Sequence, residues 1–65
     1  MKNINLSNGV ERNYYGVSET YANELISMNH TLLVNEESGI YTEYDKEGND
    51  LDTFTYEELQ NYMNK

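Results

Sequence analysis

Residues 30–54 read HTLLVNEESGIYTEYDKEGNDLDTF, and this stretch decides the fold. Three short apolar or alternating runs are separated by two turn-forming clusters, Glu36-Glu37-Ser38-Gly39 and residues 46–49 around Gly48. In residues 30–34, Leu32, Leu33 and Val34 are consecutive, the pattern of a strand buried on both faces and therefore central. Residues 40–45 alternate, with Ile40, Thr42 and Tyr44 on one face and Tyr41, Glu43 and Asp45 on the other. Residues 51–54 form the third run, but Leu51 and Phe54 have opposite parity. Either a bulge intervenes or one of the two packs on a helix. Short turns between adjacent runs make this an antiparallel meander.

Helices flank the meander. Before it, Ser18 is a good N-cap and Glu19 faces the positive helix end. Tyr21, Ala22, Leu25, Ile26 and Met28 then recur at three- and four-residue spacing, which predicts a helix over residues 18–28 with Asn29 as its stop. After the meander, Thr55-Tyr56-Glu57-Glu58 matches the capping box, and Leu59, Tyr62 and Met63 continue as an apolar stripe. Towards the N-terminus, Ile4-Asn5-Leu6 runs into Asn8-Gly9, a favoured hairpin dipeptide. Residues 10–15 would be the returning strand, but they alternate poorly and read equally as a loop. The expected fold is a single α+β domain over residues 1–65. It is a small antiparallel three-stranded meander, with or without an extra N-terminal hairpin, packed with one central and one C-terminal helix. Both helices should cover one sheet face and leave the other partly to water. Leu25, Ile26, Leu32, Val34, Ile40, Phe54 and Leu59 are the expected core.

A chain of 65 residues is near the lower limit for folding alone, and without cysteine it has neither disulfides nor Cys-based zinc sites. Its stability must come from a modest core, to which seven tyrosines bring large apolar faces with polar tips. Charge is the strongest global signal. Twelve acids face four bases, for a net charge of -8. Residues 1–35 hold three of the acids and two of the bases, whereas residues 36–65 hold nine acids and two bases. Such a field repels phosphate, so neither direct nucleic-acid binding nor attachment to an anionic membrane is expected. It draws in basic protein surfaces. The bland alternative is that the acids serve solubility. No segment approaches the roughly 18 apolar residues of a membrane span, and the N-terminus lacks the apolar stretch of a secretory signal. A cytoplasmic location is expected. Abundant Asn, Tyr, Ile, Lys and Glu, with Trp, Pro and Cys absent, suggest an AT-rich coding genome such as a low-GC bacterium or its phage.

No catalytic constellation stands out. His30, the sole histidine, falls at a helix–strand junction with no motif around it and reads as a capping or partly buried residue. The four glycines are scattered turn residues without phosphate-loop spacing. Paired carboxylates are plentiful, but so small a domain has little room for a substrate pocket of several hundred Å3. Glu43, Asp45 and Glu47 fit the first ligand positions of a calcium loop around Gly48, yet the obligatory bidentate acid at the twelfth position is Phe54. Neither a metal nor a cofactor is expected, and the protein is read as non-enzymatic.

The acidic run is the candidate functional surface. Glu43 and Asp45 share a strand face, and Glu47, Asp50 and Asp52 continue through the turn. Glu36, Glu37, Glu57 and Glu58 flank them, and Tyr41 lies among them as an interface anchor. These ten residues are the expected partner-binding set. In size, acidity and lack of catalytic residues the whole chain resembles small phage or mobile-element proteins that inhibit host nucleic-acid machinery, including anti-CRISPR proteins. That resemblance implies an inhibitor that occupies a basic nucleic-acid-binding surface of a host protein, and it assigns no residues. The alternative is a structural or assembly module that forms homo- or hetero-oligomers through tyrosine-rich and sheet-edge contacts, a homodimer included.

Overall fold

Strands form where the turn residues delimit them. The computed structural model describes residues 3–7 and 11–64. β1 (Asn3–Asn5) leads through a single helical turn, α1 (Glu11–Tyr14), into α2 (Glu19–Ser27). β2 (Thr31–Asn35), β3 (Tyr41–Tyr44) and β4 (Asp50–Phe54) follow, and α3 (Tyr56–Met63) closes the chain. The four strands make one antiparallel sheet in the order β1-β2-β3-β4. The meander and both helices are as expected, and β2 is central.

The N-terminal segment differs in detail. β1 pairs with β2, and a Leu6 N–H to Leu32 C=O bond of 2.7 Å extends that pairing. Residues 11–14 are helical and do not return as a hairpin strand. The physical reason is a choice of partner. The free edge of β2 carries Leu32 and Val34, both buried, whereas residues 11–14 contain no β-branched side chain. The Asn8-Gly9 turn and Val10 lie outside the described residues.

The helix ends follow local backbone chemistry. The Ser18 side chain accepts the Tyr21 N–H at the start of α2. At its end Asn29 adopts φ 60°, the Asn29 N–H bonds the Ile26 carbonyl and the His30 N–H bonds the Leu25 carbonyl. This is a Schellman closure with Asn in the left-handed position. α3 opens with a complete capping box: Glu58 N–H donates to Thr55 Oγ1 at 3.2 Å, and Thr55 N–H donates to Glu58 Oε1 at 2.9 Å. The parity conflict in the last strand is a bulge. Glu43 faces Asp52 and Tyr44 faces Asp50, so Leu51 has no opposite number and its side chain is exposed.

Register sets the two faces of the sheet. Val34, Tyr41 and Phe54 oppose one another across three strands and are all buried. With Leu32 they pack beneath Tyr21, Ala22 and Leu25 of α2 and Leu59 of α3, and Leu6 and Val17 complete the core. Tyr62 of α3 bridges the layers, with ring centroids 5.7 Å from Tyr21 and 5.6 Å from Phe54. Five of the seven expected core residues are buried; Ile26 and Ile40 are not. Ile26 is 48% exposed because the buried stripe of α2 runs along Tyr21, Ala22 and Leu25, about 100° away around the helix. Ile40 is half-buried, since Tyr41 points inward and its neighbour must point outward.

Candidate protein-binding surface

The ten expected site residues fall into two groups. Three are engaged in holding the fold. Tyr41 was expected as an exposed anchor but is only 3% exposed, because it shares the rung of Val34 and Phe54. Its hydroxyl donates to the Tyr15 carbonyl at 2.9 Å, and burial pushes its phenol pKa up. It ties α1 to the sheet and is not available to a partner.

Glu43 shares the inward face with Tyr41, two residues along β3. It sits half-buried at the margin of the core, with Oε2 2.8 Å from His30 Nδ1 and Oε1 accepting from the Tyr21 hydroxyl at 3.5 Å. Burial first, and then the Glu43 charge, hold the Tyr21 phenol well above its ordinary range, so it remains a donor. Directly across the ladder stands Asp52, a like-charge pair that is unfavourable by itself. His30 and Tyr21 offset that repulsion from one side.

Asp45 organises the β3–β4 turn. It accepts the Glu47 N–H at 2.8 Å, the Asn49 N–H at 3.0 Å and the Asn49 side-chain amide at 3.3 Å. The Asn49 backbone bond is the largest cause of its lowered pKa. A carboxylate turned into its own loop is poorly placed for a calcium site. Among the described residues no group of three or more His, Cys, Asp or Glu side chains could hold a metal ion.

The other seven acids are exposed: Glu36, Glu37, Glu47, Asp50, Asp52, Glu57 and Glu58. They do not form one row. The β2–β3 turn and the start of α3 meet at the end of the sheet marked by Asn35, Tyr41 and Phe54, bringing Glu36, Glu37, Glu57 and Glu58 to that end. Glu47 and Asp50 lie at the opposite end, beside the β3–β4 turn. Asp52 stands between them on the outer strand β4, whose five residues span about 13 Å. The acids therefore bracket a sheet edge. Glu58 is partly committed to its cap, and Asp52 Oδ1 accepts the Thr53 N–H at 2.9 Å. Among the described residues no carboxylate pairs with a lysine or arginine, and the one contact of a carboxylate with a basic side chain is the His30–Glu43 hydrogen bond.

His30 reads as expected, a half-buried structural residue, but its partnership with Glu43 was not legible from spacing. The signal that would have found it is the parity of β3 once Tyr41 is set inward. A groove of about 490 Å3 between the end of α2 and the β3–β4 turn contains His30, Asp45 and Lys46 and opens broadly to water. Ser7 also lines it, with its hydroxyl donating to Asn5 Oδ1 at 2.7 Å, while the His30 Nδ1 meets Glu43 and the Asp45 carboxylate accepts from its own turn. No helix among the described residues is long and apolar enough to cross a membrane. Comparison with models of protein families, with curated proteins and with solved structures finds no match.

Proposed function

We propose that this domain is a small non-enzymatic binding protein whose acidic rim docks on a basic, nucleic-acid-binding surface of a host protein and displaces its nucleic acid. One observation carries the reading: seven exposed carboxylates bracket the β4 edge, and none is paired with lysine or arginine among the described residues. Unpaired acids keep their full field, which accelerates encounter with a basic groove and competes there with phosphate. The role is that of a phage or mobile-element inhibitor, anti-CRISPR-like in kind, acting in the cytoplasm of a bacterial host. Glu36, Glu37, Glu47, Asp50, Asp52, Glu57 and Glu58 form the surface. Glu43, Asp45 and Tyr41 support it from within.

The test compares immobilised wild type with a variant carrying Glu47→Lys, Asp50→Lys and Asp52→Lys, each exposed to bacterial lysate at low and high salt. Wild type should retain nucleic-acid-binding proteins that salt releases and that added duplex DNA displaces, while the variant retains none of them. Retention of the same proteins by the variant, or simultaneous binding of DNA and the domain, overturns the proposal.

A further inference from the structure

A groove of about 350 Å3 runs between the open edge of β4 and α3. Asp52 and Phe54 line it from β4, and Glu58, Asn61 and Tyr62 from α3. Tyr62 is 46% exposed, yet its ring is held against Tyr21 and Phe54 at centroid distances of 5.7 and 5.6 Å. Each acid here is aimed by the fold. Asp52 Oδ1 accepts the Thr53 N–H at 2.9 Å, and Glu58 Oε1 accepts the Thr55 N–H at 2.9 Å. An ionised carboxylate has about four acceptor sites, so both keep capacity for a further donor. The groove also lies beside a half-compensated repulsion. Asp52 opposes Glu43, whose charge His30 and Tyr21 meet from the far side.

We infer that this groove is the central anchor point of the acidic rim and receives an arginine side chain of the basic partner, an assignment that rests on the docking role proposed above. Charge fixes the sign of the occupant. A guanidinium beside Asp52 and Glu58 meets two carboxylates that no lysine or arginine pairs with among the described residues. It also relieves the Glu43–Asp52 repulsion from the open side. The aromatic ring favours arginine over lysine, because a planar guanidinium stacks on a ring and bonds a carboxylate through two parallel N–H groups. A ring already held by Tyr21 and Phe54 gives up little freedom on binding, which suits it as an anchor. The edge itself favours an inserted side chain over an added strand. Asn35 N–H donates to the Ile40 carbonyl, so by alternation Tyr41 and Glu43 turn their backbone groups to Phe54 and Asp52, and Thr53 faces the open edge. Its N–H is already taken by Asp52. Arginines of nucleic-acid-binding surfaces contact phosphates, so one captured here is withdrawn from that contact.

Amide chemical shifts of the full chain, titrated with acetyl-argininamide, read the groove directly. Those of Asp52, Thr53, Glu58, Asn61 and Tyr62 should saturate with the arginine probe, move less with acetyl-lysinamide and stay still with the uncharged citrulline analogue. Asp52→Asn with Glu58→Gln keeps the side-chain acceptors of the strand edge and the cap. Circular dichroism should therefore report an intact fold, while the initial slope of those shifts falls about tenfold. Glu36→Gln with Glu47→Gln removes the same charge away from the groove and should bind the probe as wild type does. Equal binding of the lysine and arginine probes, equal loss in both double variants, or no saturable shift at the groove would each overturn the inference. In the lysate assay above, partner proteins retained equally by wild type and by the Asp52→Asn, Glu58→Gln variant would overturn the groove and leave the docking surface standing. A wild type that retains no nucleic-acid-binding protein would instead overturn the docking surface, and the arginine titration then decides the groove by itself.

Discussion

Replacing Gly16 by alanine should be among the most damaging small changes in this protein, and its size can be worked from the backbone outward. Gly16 has φ +78°, in the left-handed region, where an added Cβ is unfavourable by roughly 1–2 kcal/mol. That Cβ would also lie 2.8 Å from Gln60 Nε2 and 2.9 Å from Tyr56 Cε1. Both are side-chain atoms, so they can swing away, but Gln60 Nε2 donates to the Gly16 carbonyl at 2.9 Å and would give up that bond. A lost hydrogen bond of this kind is worth about 0.5–1.5 kcal/mol. The total is about 1.5–3.5 kcal/mol, a large share of the stability available to so short a chain.

Gly48 supplies the control. Its φ is +85°, but nothing lies within 4 Å of its would-be Cβ, so Gly48→Ala should show the backbone component alone. For a domain of this size each kcal/mol moves the melting temperature by about 4–8 °C. Thermal unfolding followed by circular dichroism should therefore place Gly16→Ala below Gly48→Ala, and both below wild type. Equal melting temperatures for the two variants would refute the reasoning, because the approach of α3 to the α1–α2 connection would then carry no energy.

Two neighbouring residues of α2 should separate in chemical denaturation. Leu25→Ala empties a fully buried site and should destabilise by roughly 2–5 kcal/mol, whereas the half-exposed Ile26→Ala should stay within about 1 kcal/mol. Asp45 makes stability depend on acid. Its folded pKa is depressed, so the unfolded chain binds the proton more tightly; its contribution is complete above the ordinary value of 3.8 and disappears as pH falls through the lower folded value. Urea midpoints of wild type and Asp45→Asn should therefore differ at neutral pH and converge in acid, and a constant difference would contradict this.

What was legible in the sequence was mostly local. Ser18, Asn29 and the Thr55–Glu58 box act through their own backbone neighbours, so their spacing alone predicted α2 and α3. The conflict between Leu51 and Phe54 was informative for the same reason, since a period-two strand can accommodate it only with an extra residue. Long-range choices were hidden. Hydropathy favours Ile40 and Tyr44 as the buried face of β3, but the register with Val34 and Phe54 turns Tyr41 inward and takes Glu43 with it. Glu43 tolerates that position because His30 and Tyr21, from the end and the start of the α2 region, converge on its two oxygens. No spacing within one element encodes such a meeting. Leu6 and Val17 were missed because each lies in a mostly polar segment and is buried only once β1 and α1 close over the sheet margin.

The same register bears on whether the acids serve only solubility. A solubilising charge works wherever it meets water, and Thr31, Thr42 and Thr53 occupy outward strand positions where an acid would be well hydrated. Those positions are neutral. The chain instead accepts the opposed pair Glu43–Asp52 on the helix side and crowds further acids into two turns and the first turn of α3. Solubility gives no reason to tolerate like-charge pairing on one side of a sheet while leaving the other side, among the described strand residues, with Asp50 as its one charge. The proposed docking on a basic surface does, because an acidic rim with no lysine or arginine partner among the described residues keeps its field for a basic protein.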